Sequence, residues 1–141
     1  MNKISIIASF LFIAIAASAH QDINTGLPGG KKWLLKEIKL GDSSIAVNTK
    51  AFIRFDTEQN RVSGNGSCNS FGGSLQISND SISIQHLFST KMYCEAVQGT
   101  EDQFFQLLAQ ADKYAAENDI LRLYQGDTLL LVFSIEKEKA V

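Results

Sequence analysis

The stretch Ser74-Leu75-Gln76-Ile77-Ser78-Asn79-Asp80-Ser81-Ile82-Ser83-Ile84 decides the fold. Apolar and polar residues alternate strictly on both sides of Asn79-Asp80, a pair that favours tight turns. A period of two lines Leu75 and Ile77 on one face of a strand and Ile82 and Ile84 on one face of the next, which predicts an antiparallel hairpin. The same pattern recurs outward from it. Ala51-Phe52-Ile53-Arg54-Phe55-Asp56 sets Ile53 and Phe55 against Arg54 and Asp56, and a polar turn leads back into Arg61-Val62-Ser63-Gly64. Upstream, Trp33-Leu34-Leu35-Lys36-Glu37-Ile38-Lys39-Leu40 places Ile38 and Leu40 on one face and stops at Gly41-Asp42. Downstream, residues 120–124 and 128–133 flank Gln125-Gly126-Asp127, and Leu129-Leu130-Leu131-Val132-Phe133 reads as a strand buried on both faces.

One segment departs from this period. Thr100-Glu101-Asp102-Gln103 has the form of a capping box, with a hydroxyl at the N-cap and a glutamine three residues on. Glu101 and Asp102 suit the positive end of a helix dipole. Phe104, Leu107, Leu108 and Ala111 then recur at i, i+3, i+4 and i+7, which predicts one helix over about residues 101–112. One helix among antiparallel hairpins is an α+β fold, with the helix covering an open end or face of a curved sheet.

Composition narrows the function. The chain has 141 residues, 13 basic and 15 acidic, a net charge of −2 and two cysteines. That length allows one domain with its own core. The near-neutral balance argues against nucleic acid as a partner, and the apolar content argues against disorder.

The apolar content is concentrated at the start. Met1-Asn2-Lys3 is a short positive region, residues 4–16 are an apolar run broken by two serines, and Ala17-Ser18-Ala19 precedes His20. This is the three-part pattern of a secretory signal, and the run is too short to span a bilayer, which takes about 20 residues. Four segments follow from it: a signal peptide over 1–19 cleaved between Ala19 and His20, a flexible leader over 20–32, a folded domain over 33–135 and a tail over 136–141. The mature protein is expected to be periplasmic or extracellular, monomeric, and without a membrane span.

Catalytic and metal chemistry find little support. His86 is the single imidazole within the patterned region, and no Gly-x-Ser-x-Gly elbow accompanies it. Cys68, His86 and Cys94 supply at most three metal ligands and no Cys-x-x-Cys pair. No catalytic residue, cofactor or metal is therefore expected. The run Gly64-Asn65-Gly66-Ser67-Cys68-Asn69-Ser70-Phe71-Gly72-Gly73 lacks the lysine and following helix of a phosphate loop. Its glycines fit positive φ in a tight reversal that brings Cys68 and Asn69 inward.

The region from Trp33 to Phe133 resembles the META/HslJ domain family. Gly64, Gly66, Cys68, Asn69, Phe71 and Gly73 look like its Gly-x-x-Cys-Asn-x-Phe-x-Gly signature. Thr90, Met92 and Cys94 look like its Thr-x-Met-x-Cys signature, and Glu101 resembles its acidic residue opening a helix. Ser70 and Lys91 stand where many members carry Arg. The resemblance implies a half-barrel closed by a helix, kinship with secreted or envelope proteins of bacteria and some protozoa, and no established enzymatic activity.

Two functions follow. The first is a non-enzymatic exported envelope domain that binds a protein partner or supports envelope stress tolerance. The second is binding of a small apolar ligand between the curved sheet and the helix, lined by residues 129–133 and the Phe104/Leu108 face. Export also places Cys68 and Cys94 where a lone pair of cysteines forms a disulfide; the alternative is two buried thiols packed together.

Overall fold

The computed structural model describes residues 26–137. The expected signal peptide, its cleavage point at Ala19/His20 and the end of the tail lie outside the described residues. The alternating runs form strands β1 (Trp33–Leu40), β2 (Ser43–Ala46), β3 (Phe52–Asp56), β4 (Arg61–Asn65), β5 (Ser70–Ser78) and β6 (Ser81–Ser89). Helix α1 (Gln98–Gln110) follows, then β7 (Lys113–Glu117), β8 (Ile120–Gln125) and β9 (Thr128–Ile135). Neighbouring strands are antiparallel in the order β2-β1-β3-β4-β5-β6-β7-β8-β9, and β1 also pairs with β9. That last pairing makes the sheet a curved ring, with β2 extending β1 beyond it. The fold is α+β, as the hairpins and single helix implied.

The ring is thinnest between β6 and β7, where the register is one pair, Ser81 with Lys113. Two further backbone bonds reinforce it, from Ile82 N to the Asp112 oxygen (3.0 Å) and from Tyr114 N to the Asp80 oxygen (2.9 Å). Helix α1 connects these two strands and packs on β6 and β9. Its buried face is Phe104, Leu107 and Leu108, with Ala111 buried just beyond its end, the spacing expected. Phe104 meets Phe71 edge-on with ring centroids 5.7 Å apart and Phe133 at 6.0 Å. Phe104, Leu108, Leu131 and Phe133 are all fully buried. The residues expected to line an apolar ligand space thus pack directly on one another.

Several expectations need correction. The helix starts at Gln98 with Val97 at its N-cap and no side-chain cap, three residues before the proposed capping box. The carbonyl of Cys94 takes over the capping work, accepting bonds from the amides of Val97 (3.0 Å) and Gln98 (2.9 Å). Leu40 is 39% exposed. A register shift between Leu35 and Glu37 reverses the alternation in β1, so that Trp33, Leu35 and Ile38 face inward. In β9 the adjacent Leu130 and Leu131 are both buried. A bulge, rather than cover on both faces, accounts for this: Leu123 pairs with Leu131 and Tyr124 with Leu129, which leaves Leu130 as the extra residue.

Strands β2 and β7 carried no readable alternation. β2 is exposed throughout and is held by its ladder to β1 and by Ser44. The Ser44 hydroxyl donates to Glu37 (2.9 Å) and accepts from Lys39 (3.0 Å). Bonds from Lys39 and then Ser44 hold the Glu37 carboxyl below its ordinary value. β7 is Lys-Tyr-Ala-Ala-Glu, a composition without β preference that takes its conformation from pairing with β8. Asn118 and Asp119, both at positive φ, form the two-residue turn between them.

The segment read as a flexible leader joins the domain over its described part. Leu27 is 6% exposed and belongs to the core, and Gly30 N donates to the Phe55 oxygen (3.0 Å). Lys32 is tied to the chain end by its carbonyl, which accepts from Glu136 N (3.0 Å), and by an ion pair with Glu136 (2.8 Å).

Candidate functional site

The two cysteine motifs meet at one end of the sheet. The turn between β4 and β5 carries Cys68 and Asn69 inward, as expected, and both are buried. Glycine serves this turn differently from the expectation, because none of Gly64, Gly66, Gly72 and Gly73 lies at positive φ, whereas Ser67 does (102°). The glycines are needed for close approach. A Cβ on Gly66 would come within 2.6 Å of the Glu101 side chain, and one on Gly64 would strike the Phe52 carbonyl oxygen and the Phe71 ring.

Glu101 organises the turn. It is 1% exposed. One carboxylate oxygen accepts the backbone amides of Cys68 (2.9 Å) and Asn69 (2.7 Å), and the other accepts Asn69 Nδ2 (2.6 Å). Three donors satisfy this buried carboxylate, with no ion-pair partner for it among the described residues. The sequence pattern assigned Glu101 to the positive end of the helix dipole and gave it no partner in the Cys68-Asn69 turn. The single available clue to its role was its placement after the second cysteine motif.

Asn69 passes the constraint to residues 90–94. Its Oδ1 accepts from the Thr90 hydroxyl (2.7 Å) and the Met92 amide (2.8 Å), and its Nδ2 also donates to the Met92 carbonyl (2.9 Å). Cys68 and Cys94 are joined by a disulfide with Cα atoms 6.0 Å apart. Gly64, Gly66, Cys68, Asn69, Phe71, Thr90, Met92 and Cys94 are thereby assembled into one unit, and Gly73 stands apart on β5 against the Gln85 carbonyl oxygen.

This unit is a scaffold for what it displays. Met92 (59% exposed) and Tyr93 (76%) point to solvent from a loop held by side-chain bonds and a covalent crosslink. Met92 contributes its backbone to the clamp and leaves its side chain free. The disulfide closes a separation of 26 residues, which the chain-entropy model values at about 3.5 kcal/mol. Cys68→Ser and Cys94→Ser are each expected to destabilise by that order, and the double variant by little more than either single one. Denaturant unfolding of the three variants checks this; additive losses would show that the two cysteines act separately.

His86 lies elsewhere, on the outer face of β6 at positive φ (52°), with Nδ1 3.4 Å from the Ser74 hydroxyl. Beside it an open groove of about 800 Å³ runs over β4 and β5 toward Phe88. Among the described residues no group of three or more His, Cys, Asp or Glu side chains is placed to hold a metal ion.

The family model of the META domain matches residues 25–138. That range includes Leu27 and Lys32, which the structure also joins to the domain. An NMR structure of a protein from Burkholderia xenovorans superposes with a TM-score of 0.66 at 20% identity, covering 78% of this chain and 84% of that one. A crystal structure of a DUF4847 family protein from Bacteroides vulgatus gives a TM-score of 0.57 at 14% identity, covering 77% and 94%. At these identities the likeness is one of fold. No curated protein matches.

Proposed function

The chain belongs to the META domain family, and from that premise we propose a non-enzymatic, exported envelope domain that binds a protein partner through residues 90–94. The carrying observation is the display of Met92 and Tyr93 on a loop fixed by Asn69 and the disulfide. Tyrosine is enriched among residues that dominate binding energy, and methionine adapts its shape to a partner. A loop ordered before binding loses less entropy on association. The signal-like pattern over residues 1–19 and the disulfide both support export. Support of envelope stress tolerance is the physiological outcome consistent with such a domain, acting as a monomer on its partner.

A photo-crosslinking residue at position 93, introduced into the full chain and expressed in an exporting host, tests this reading. Protein recovered outside the cytoplasm is expected to begin at His20 by intact mass. A single crosslinked product should form from position 93, weaken with Met92→Ala, and be absent when the crosslinker replaces Asp127 in the β8–β9 turn. Recovery of protein still carrying Met1 would refute export as drawn. Products equally abundant from positions 93 and 127 would refute the loop as the docking element.

A further inference from the structure

The outer face of β3 to β6 is ordered by its register into two cross-strand rows. Arg54 pairs with Ser63, Ser63 with Gly72, and Gly72 with Phe88. Asp56 pairs with Arg61, Arg61 with Ser74, and Ser74 with Gln85, next to His86. Ser63 and Gly72 lie in the middle of the first row between Arg54 and Phe88, and Ser74 lies beside Arg61 in the second, so small residues leave a groove over β4 and β5. Side chains directly opposite across strands lie about 5 Å apart, and adjacent rows on one face about 7 Å.

Three features define what this groove would hold. Phe88 is 71% exposed and leans its ring over Gly72, where a Cβ would come within 2.6 Å of Cζ. The glycine makes room for the ring, and the ring keeps most of its surface open to solvent. Second, Arg61 has no hydrogen-bond or ion-pair partner for its guanidinium among the described residues. Third, donors and acceptors are mixed: the Arg61 guanidinium, the Ser63 and Ser74 hydroxyls, the His86 imidazole, and the Asp56 carboxylate, one oxygen of which accepts Gln59 N (2.9 Å).

We propose that this groove is a saccharide-binding site, in which one sugar ring lies on Phe88 and its hydroxyls meet Arg61, Ser63, Ser74, His86 and Asp56. Sugar hydroxyls donate and accept at once, which matches a lining of both kinds. A simple anion would call for donors alone, and Asp56 repels it. An extended peptide would bring its own amides and carbonyls, yet β4 and β5 are paired along both edges and offer no free backbone to receive them. An aromatic ring beside a polar floor supplies apolar contact for the carbon face of a pyranose and satisfies its rim. The site shares no side chain with the Met92/Tyr93 loop, so it stands independently of the partner reading.

The test titrates glucose, N-acetylglucosamine and glucuronate, each as monomer and linear trimer, into 15N-labelled full chain and reads amide shifts. At least one sugar should give saturable shifts at Ser63, Gly72, Ser74 and His86. Phe88→Ala and Arg61→Ala should each weaken that sugar by about tenfold or more, while Phe88→Trp retains binding and Tyr93→Ala leaves it unchanged. Both Phe88 and Arg61 are exposed, so dispersed spectra of the variants will verify their folds. Absence of shifts with all six probes, or binding undiminished in both alanine variants, overturns the proposal. Loss of crosslinking at position 93 with sugar binding intact would count against the partner reading alone.

Discussion

Glu101→Ala is expected to lower stability by roughly 3–4 kcal/mol, because three buried donors lose their acceptor and each unsatisfied group costs about 1–3 kcal/mol before relaxation. The donors are the amides of Cys68 and Asn69 and Asn69 Nδ2. Glu101→Gln separates this loss from simple loss of volume. Its one oxygen can serve the two backbone amides, but its NH2 then faces Asn69 Nδ2 across a gap that held a 2.6 Å bond. About half of the alanine effect should therefore remain in the glutamine variant. Urea unfolding monitored by circular dichroism gives both values. A glutamine variant as stable as the parent would mean that the carboxylate is not the organising group. Since Asn69 relays the constraint to Met92, the residue 90–94 loop of either variant should also exchange its amide hydrogens faster.

Phe104→Ala is the second large effect, with an expected loss of about 3–5 kcal/mol. The ring is fully buried and meets both Phe71 and Phe133. Its removal opens a cavity between the helix and the ring of strands, where neighbours on three elements must all shift to fill it. Gln106→Ala, on the exposed face of the same helix, is the control and should change stability by less than about 0.5 kcal/mol. Equal losses in the two variants would mean that the helix presents a different face to the sheet. The Phe104 cavity adjoins Phe71, which follows Asn69 by two residues, so Phe104→Ala combined with Glu101→Ala should cost less than the two losses added.

The chain's local pattern determined most of the architecture. Period-two alternation located the strands from Phe52 to Asp56 and Ser74 to Ile84, and the strongly patterned final hairpin. The 3.6-residue period of Phe104, Leu107, Leu108 and Ala111 located the helix and its buried face. These signals are local because each depends on side chains a few residues apart alternating between water and core. The ordered cysteine motifs likewise named residues that meet around the disulfide, Gly73 excepted.

What the tertiary structure alone decided depends on residues distant in sequence. The start of α1 moved upstream because the Cys94 carbonyl caps it, and Glu101 turned inward because the amides of Cys68 and Asn69, more than 30 residues earlier, needed an acceptor. β7 became a strand because β8 supplied a ladder for a composition with no preference of its own. The shift in β1 set Leu35 and Ile38 on one side of the strand, and the bulge in β9 turned Leu130 inward beside Leu131, since one extra residue changes the phase of everything beyond it. The grooved outer face has the same origin. Ser63, Gly72 and Phe88 are unremarkable in the linear chain, and pairing register across three strands is what sets them side by side.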